Sequence, residues 1–267
     1  DRWVMKLFKS FLWQSLLGAA IASVMALPQA VQAQVVISPM VINAETKQGK
    51  ASGVISVRNK ASQPQRVRLN SEAFTYKRDG FTTQESDPFD LSPYLIFSPA
   101  ELVVKPGQSR RIRLIMRMLP TTAPGEYRSV IFVEPLKERN AEGGLSIRAR
   151  LGVTVYVRHG EVNFALAPES AAYNSEKKQL ELLVTNSGNG TVRPAVQWEL
   201  QRNGQAVIKN EVKEITVIAG GDRLIPLELP ENSVELTSGT YQLTGELLWG
   251  SGKNSSKIPF SFDLSIP

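Results

Sequence analysis

The chain contains no cysteine and only one histidine, His159, among its 267 residues. The absence of thiols excludes disulfides, thiolate nucleophiles and Cys-ligated metals. A lone histidine has no second histidine or thiol with which to complete a metal site or a Cys–His pair. The remaining option, a carboxylate pair such as Glu85 and Asp87, falls in a turn-rich loop where solvated acids are the ordinary case. We therefore expect no enzymatic activity, no metal and no cofactor.

Helical periodicity is also missing, because no segment after Ala33 carries apolar residues at helical spacing. Short β-branched or alternating stretches recur instead, separated by Gly, Pro, Asn and Ser, which is typical of β-sandwiches. They form two series, one before and one after Gly160, a residue able to take up a bend. The first comprises residues 34–37, 52–58, 65–70, 101–104, 111–116 and 128–133, and the second comprises 162–166, 179–185, 195–200, 223–229, 240–249 and 257–266.

The N-terminal region has the pattern of an export signal. Lys6 and Lys9 precede an apolar stretch from Phe11 to Leu27, and residues 31–33 (Val-Gln-Ala) close it. This order predicts a cleaved secretory signal peptide. An uncleaved membrane anchor is the less favoured alternative, since polar residues interrupt the stretch and an anchor needs about 20 apolar residues.

The predicted organisation follows from these two patterns. Residues 1–33 hold upstream residues plus the signal peptide, residues 34–158 form one domain, and residues 159–267 form another. Each domain falls near the roughly 100 to 150 residues usual for a domain. Because cysteine is absent, each domain depends on its apolar core for stability. The predicted fold class is all-β, with two β-sandwich domains in tandem.

The net charge is +6, but the basic residues are scattered. The densest cluster comprises Arg110, Arg111 and Arg113, and its strand context distributes these side chains between the two faces of a sheet. A moderately basic exposed surface is the interpretation we favour, and we expect no nucleic-acid partner.

One alternating segment is longer than the others. Apolar residues occupy every second position from Leu145 to Val157, which predicts a single long strand. Between them, the first half carries Ser146, Arg148 and Arg150, so its other side faces solvent. Two interpretations remain open: the first half is exposed and available to a partner, or the whole strand belongs to the core of its own domain.

Two motifs in the first domain resemble those of PapD-like periplasmic pilus chaperones. The first is the stretch 97–114 (FSPAELVVKPGQSRRIRL), in which a Pro-Gly turn leads into a strand of alternating arginine and apolar residues. The second is the stretch 125–132 (GEYRSVIF), followed by a loop and the long strand. The order of motifs covers nearly all of residues 34–158, whereas the second domain is similar only in position and strand character.

The resemblance implies a boomerang-like pair of immunoglobulin-like sandwiches that inserts part of its last long first-domain strand into an incomplete pilin subunit. Such a strand pairs its backbone with the open edge of the subunit, while alternate side chains fill the subunit's groove. Matching the end of the strand at Arg158 places the donor residues at Leu145, Ile147 and Ala149, and the donor half extends to Leu151.

The same resemblance implies a pair of basic residues in the cleft that hold the subunit's C-terminal carboxylate. The matching positions lie near Val41 and at Thr154, and neither is basic. Arg158 is the nearest charge, and it either binds the carboxylate or pairs with an acid of the second domain to fix the angle between domains, the reading we favour.

The expected function is that of a periplasmic chaperone that stabilises pilus or fimbrial subunits by donor-strand complementation and delivers them for assembly. Its expected partners are pilin-like subunits and an outer-membrane usher, and the free protein is expected to be a monomer or weak self-dimer without a stable membrane anchor. The alternative is a structural or adhesive β-sandwich component of a surface assembly.

Overall fold

The computed structural model describes residues 35–136, 150–233, 235–250 and 255–267. These residues form seventeen β-strands and one short 3-10 helix at Ser92–Tyr94. Within them, no helix has both the length and the apolar character needed to cross a membrane. The strands assemble into four sheets, which pack as two sandwiches.

Two sheets built from strands before Gly160 form the first sandwich. One sheet has the order β1 (Val35–Ser38), β3 (Lys50–Asn59), β8 (Ser109–Arg117) and β6 (Leu95–Ser98). The other has the order β2 (Val41–Glu45), β10 (Leu151–His159), β9 (Gly125–Leu136), β4 (Gln65–Lys77) and β5 (Gly80–Gln84), and β7 (Glu101–Val104) also pairs with β4.

Two further sheets, built from strands after Gly160, form the second sandwich. One has the order β11 (Leu166–Asn174), β12 (Gln179–Asn186) and β15 (Asp222–Leu227), and the other has the order β14 (Gln205–Val212), β13 (Ala195–Arg202), β16 (Gly239–Trp249) and β17 (Ser256–Ile266). The predicted domain boundary falls between residues 158 and 159, which are the last two residues of β10. We keep it as a proposed boundary.

Each sandwich has its own apolar core, because alternate residues of every strand point inward. The first core joins Ile55 and Ile112 of one sheet to Ile131 and Val155 of the other, all fully buried. The second core joins residues such as Leu182, Leu200, Ile225 and Leu243 to the buried indole of Trp198, as expected from its alternating strand.

The first two described strands, β1 and β2, belong to different sheets of the first sandwich. β1 pairs antiparallel with β3, and after Pro39 and Met40 the chain continues as β2, which pairs parallel with β10. β2 covers β10 only from Thr154 to Arg158. The start of β10 is therefore paired on one side alone.

Two parts of the strand prediction need correction. The expected strand at residues 162–166 is wrong, since β11 begins only at Leu166 and continues to Asn174. In addition, the strands β2, β5, β6, β11 and β14 were not predicted. A hairpin turn beside Asp79 connects β4 to β5, where Lys77 pairs with Gly80.

Candidate functional site: an open strand edge and a cleft

The open edge is at the beginning of β10. Leu151, Gly152 and Val153 pair with Val133, Phe132 and Ile131 of β9 on one side. On the other side, pairing with β2 starts only at Thr154, opposite Val41. Within the described part of the chain, no strand pairs with residues 151–153 on that side.

The direction of the backbone groups along this edge follows from a single hydrogen bond. The N–H of Thr154 donates to the carbonyl of Met40 at 3.0 Å, so it points away from β9. Peptide groups two residues apart in a strand point to the same side. The N–H and C=O of Gly152 therefore point toward the open side, where another strand could pair with them.

The side chains of β10 continue the alternation seen in the sequence. Val153, Val155 and Val157 are fully buried in the first core, and Leu151 is partly buried against it. For residues 151–157 the ordinary-core interpretation therefore describes the side chains. Three of the predicted donor residues, Leu145, Ile147 and Ala149, lie outside the described residues.

Arg150 anchors the start of the edge. Its guanidinium binds the carboxylates of Glu72 and Glu134, the latter at 2.6 Å, and lies 3.8 Å from the centre of the Phe132 ring. The hydrogen bond with Glu72 raises the pKa of the guanidinium above its ordinary value. These contacts join β10 to β4 and β9, so the edge begins at a fixed point.

Gly152 is suited to this crowded position. A Cβ atom there would lie 3.0 Å from Cγ2 of Val130 and 3.2 Å from Cε1 of Phe132. Both distances are tighter than ordinary van der Waals contacts. The absence of a side chain lets the Phe132 ring and the Arg150 guanidinium stack beside the open edge.

The cleft lies on the outer face of the sheet that contains β10. This face of the sheet contacts the second sandwich. The structure places the two positions that match the family's basic pair side by side, since Thr154 is the register partner of Val41. Val41 is 42% exposed and Thr154 is partly buried. Neither side chain carries a charge.

A cation reaches this place from the second sandwich. Arg193 lies beside Tyr156 and Asn43, the next pair of residues on this face of β10 and β2. Its guanidinium carbon is 4.4 Å from the centre of the Tyr156 ring, and Nη1 donates to Oδ1 of Asn43 at 3.2 Å. Its Nη2 atom is buried and has no hydrogen-bond partner among the described residues. A carboxylate that reached the guanidinium at this place would form a charge-assisted hydrogen bond with it.

An apolar cluster joins the two sandwiches behind the cleft. Ile218 of the second sandwich packs with Phe74, Val130, Phe132 and Tyr156 of the first, and all five are at least nine-tenths buried. The Phe74 and Tyr156 rings are perpendicular, with centres 5.7 Å apart. Burial raises the pKa of the Tyr156 hydroxyl to about 12.

Polar contacts extend this interface on both sides. Glu126, which is 2% exposed, accepts a hydrogen bond from the backbone N–H of Thr191 at 3.1 Å. At the other end, Nε of Arg78 donates to Oδ2 of Asp222 at 2.6 Å, and the carbonyl of Arg78 accepts from the N–H of Leu224. The contacts combine an apolar centre with polar ends.

The contacts of Arg158 are with two acids and an aromatic ring of the protein itself. It lies 3.7 Å from both Glu45 and Glu126, which are acids of the first sandwich, and its guanidinium is 4.9 Å from the centre of the Phe164 ring. The expected acid of the second domain is thus replaced by an aromatic ring. Its neighbour His159 contacts Thr46, with Nδ1 2.9 Å from Oγ1.

Arg193 was not among the predicted site residues, because it is 150 residues from Asn43 along the chain and lies in the loop between β12 and β13. The one sequence feature that could have indicated this residue is a cation followed by Pro194, just before a strand. No group of three or more His, Asp or Glu side chains suited to a metal occurs in the part of the chain that the structure describes.

Solved structures of pilus chaperones share this fold. The crystal structure of the class 5 fimbriae chaperone CfaA matches with a TM-score of 0.52 and 15% identity, covering 87% of this chain and 99% of that one. A chain from a chaperone–tip adhesin complex of CFA/I fimbriae biogenesis matches with a TM-score of 0.51 and 15% identity, covering 86% and 99%. Neither a family model nor a curated protein sequence matches the chain.

At this level of identity the likeness shows the fold. It confirms the predicted all-β class with two immunoglobulin-like sandwiches in tandem. The expected donor residues and cleft residues stay predictions.

Proposed function

We propose that this protein is a periplasmic chaperone that binds pilus or fimbrial subunits by lending them a β-strand, and that it delivers them for assembly. The single observation that carries the proposal is the open edge of β10 at Leu151–Val153, which lies within the alternating segment that runs from Leu145 to Val157. The fold it shares with the fimbriae chaperone CfaA supports the same role.

The mechanism follows from edge addition. The subunit's open strand pairs with the backbone from residue 145 to Gly152, and the alternate apolar side chains of Leu145, Ile147 and Ala149 fill its groove, while Leu151 packs against the protein's own core. Arg150 holds the end of this segment to Glu72 and Glu134, so the donor strand enters the subunit from a fixed root. This end of the donor segment is already ordered before the subunit binds, which lowers the entropic cost of association.

The subunit's C-terminal carboxylate, which the family resemblance places in the cleft, has a partner in Arg193. The positions of the usual basic pair are Val41 and Thr154, and Arg193 supplies the charge beside them from the second sandwich. Its guanidinium, which already donates to Asn43, is the charged donor that a carboxylate would engage. Arg158 keeps its contacts with Glu45 and Glu126.

The proposal is tested by capture of subunits in the cell envelope. Ile147→Asp places a charge on the donor face, and Ser146→Asp places the same charge on the opposite face of the same strand. Affinity-tagged protein is recovered from periplasmic extract, and the co-purifying proteins are identified by mass spectrometry. We expect the unchanged protein and the Ser146→Asp variant to bring down a pilin-like subunit and the Ile147→Asp variant to lose it, with all three showing the same thermal unfolding.

Equal capture by the Ile147→Asp variant would remove the donor-strand mechanism. Recovery of the protein in a surface fibre, at a constant ratio to the other fibre components, would favour the alternative of a structural or adhesive component.

A further inference from the structure

One outer sheet face of the first sandwich is basic and has no acidic residue at its outward strand positions. In the β3–β8 register, Lys50 is opposite Arg117, Val54 is opposite Arg113 and Ser56 is opposite Arg111. Directly opposed residues share a face. Their neighbours in β8, such as Ile112, are buried, so this set points to solvent. The basic face comprises Lys50, Arg58, Arg111, Arg113 and Arg117.

The strand alternation that was expected to divide the arginine cluster thus places Arg111 and Arg113 together. Arg110 falls in the other set, opposite Val57. The alternation also brings Arg117, Lys50 and Arg58 to the same side as the first two. The sequence alone could not show this because β3 and β8 are more than fifty residues apart.

These cations have no acidic partner within the part of the chain that the structure describes. None of the five forms a salt bridge with any residue that the structure describes, whereas Arg66 and Arg68 share Glu101 elsewhere on the same sandwich. An uncompensated set of like charges raises the local potential and attracts a polyanion. It also opposes pairing of this face with a second copy of the chain.

Aliphatic side chains project between the cations. Ile96 is 55% exposed, Ile115 is 40% exposed and Val54 is 36% exposed, and Ile96 is the register partner of Ile115. The positions from Lys50 to Arg58 are eight residues apart, which spans about 26 Å at the rise of a strand. The face is therefore broad and combines positive charge with exposed apolar tips.

We propose that the basic face is a peripheral binding surface for an anionic phospholipid bilayer. Phosphate headgroups suit the guanidinium groups, and the interfacial region accepts the aliphatic tips. A broad binding surface suits this face better than a small-ligand pocket, since the cavities beside Glu72 and Asp90 and beside Arg193 and Trp249 lie elsewhere. The face is independent of the open edge of β10, which belongs to the other sheet.

The test is flotation of the full protein with vesicles of phosphatidylcholine alone or with about one third phosphatidylglycerol. Because the N-terminal apolar stretch could bind either vesicle, the measured quantity is the partition coefficient for anionic vesicles divided by that for neutral ones. Arg111→Gln/Arg113→Gln removes two charges from the face, and Lys178→Gln/Lys213→Gln removes two exposed charges from the second sandwich as the matched control.

At low salt we expect a ratio well above one, and its loss when the Debye length falls to about 3 Å at 1 M salt. Each charge near the surface contributes about fivefold, so the double arginine variant lowers the ratio about 25-fold, while the lysine control changes it less than about threefold. Equal losses of the ratio in both variants would show that the preference for anionic vesicles depends only on the net charge of the protein, and this would overturn the proposal. Displacement by inorganic phosphate, at an ionic strength where chloride does not displace, would point to a discrete phosphate site and overturn it too.

Discussion

The apolar part of the contact between the sandwiches is centred on one aliphatic side chain, and its truncation gives a sharp prediction. Ile218 is 2% exposed and packs into the cluster formed by Phe74, Val130, Phe132 and Tyr156. Ile218→Ala removes three carbon atoms, which at about 0.8 kcal/mol each amounts to about 2.4 kcal/mol of lost burial. The remaining cavity adds to this cost, so we expect Ile218→Ala to lower the free energy of unfolding by about 3 kcal/mol.

The tryptophans make the measurement selective. Trp198 and Trp249 are the only tryptophans after residue 33, and both belong to the second sandwich. Urea unfolding followed by their fluorescence therefore reports the second sandwich, and far-ultraviolet circular dichroism reports both. If Ile218 couples the sandwiches, its truncation separates the two transitions, because the second sandwich keeps its own core.

Two controls bracket this result. Ile225→Ala makes the same change at a fully buried position inside the second core, and it should lower the fluorescence transition by a similar amount. Ile96→Ala makes the change at a position that is 55% exposed and should cost less than about 0.5 kcal/mol. An Ile218→Ala variant that behaves like Ile96→Ala would refute the reasoning, since the cluster would then not hold the sandwiches together.

The cleft gives two more predictions. Burial raises the pKa of Tyr156 to about 12, so the neutral hydroxyl stabilises the fold below the unfolded-state pKa near 10, and this stability is lost as the pH rises from about 10 to 12. Urea titrations at both ends of this range should show about 2 kcal/mol more loss for the unchanged protein than for Tyr156→Phe, and parallel losses would contradict the assignment. Arg193→Met should weaken binding of a captured subunit about 10-fold or more, in line with a charge-assisted hydrogen bond, as measured by titration calorimetry. Extending the subunit's C-terminus should weaken the unchanged protein but not this variant, and a weakening of both would deny Arg193 the carboxylate.

The sequence predicted the strands whose side chains alternate between core and solvent. β3, β8, β12 and β16 all show this pattern, because one face of each lies on a core. β11 was missed because Pro168 and a register shift interrupt it, features that an edge strand such as β11 tolerates. β2 was missed for a different reason, since it is short and Val41 at its start is exposed.

The candidate site was predictable where it follows from one strand and not where it depends on contacts distant in sequence. The alternation predicted one strand from Leu145 to Val157; β10 begins at Leu151, and residues 145–149 lie outside the described part of the chain. The place where β2 stops covering β10 depends on the chain switching sheets after Pro39. The partners of Arg158 likewise depend on which acids the fold brings near. Glu45 and Glu126 are 113 and 32 residues away along the chain, and neither forms a motif with it.

The most direct measurement of strand lending is hydrogen exchange at the backbone of Gly152, followed residue by residue by NMR in the free protein and in the complex recovered by co-purification. The Gly152 N–H points to the open side, whereas those of Leu151 and Val153 point toward β9. Strand addition predicts that binding slows exchange of the Gly152 amide more than about tenfold, which corresponds to about 1.4 kcal/mol, and changes its two neighbours far less. An unchanged Gly152 amide in a complex that retains the subunit would contradict the account.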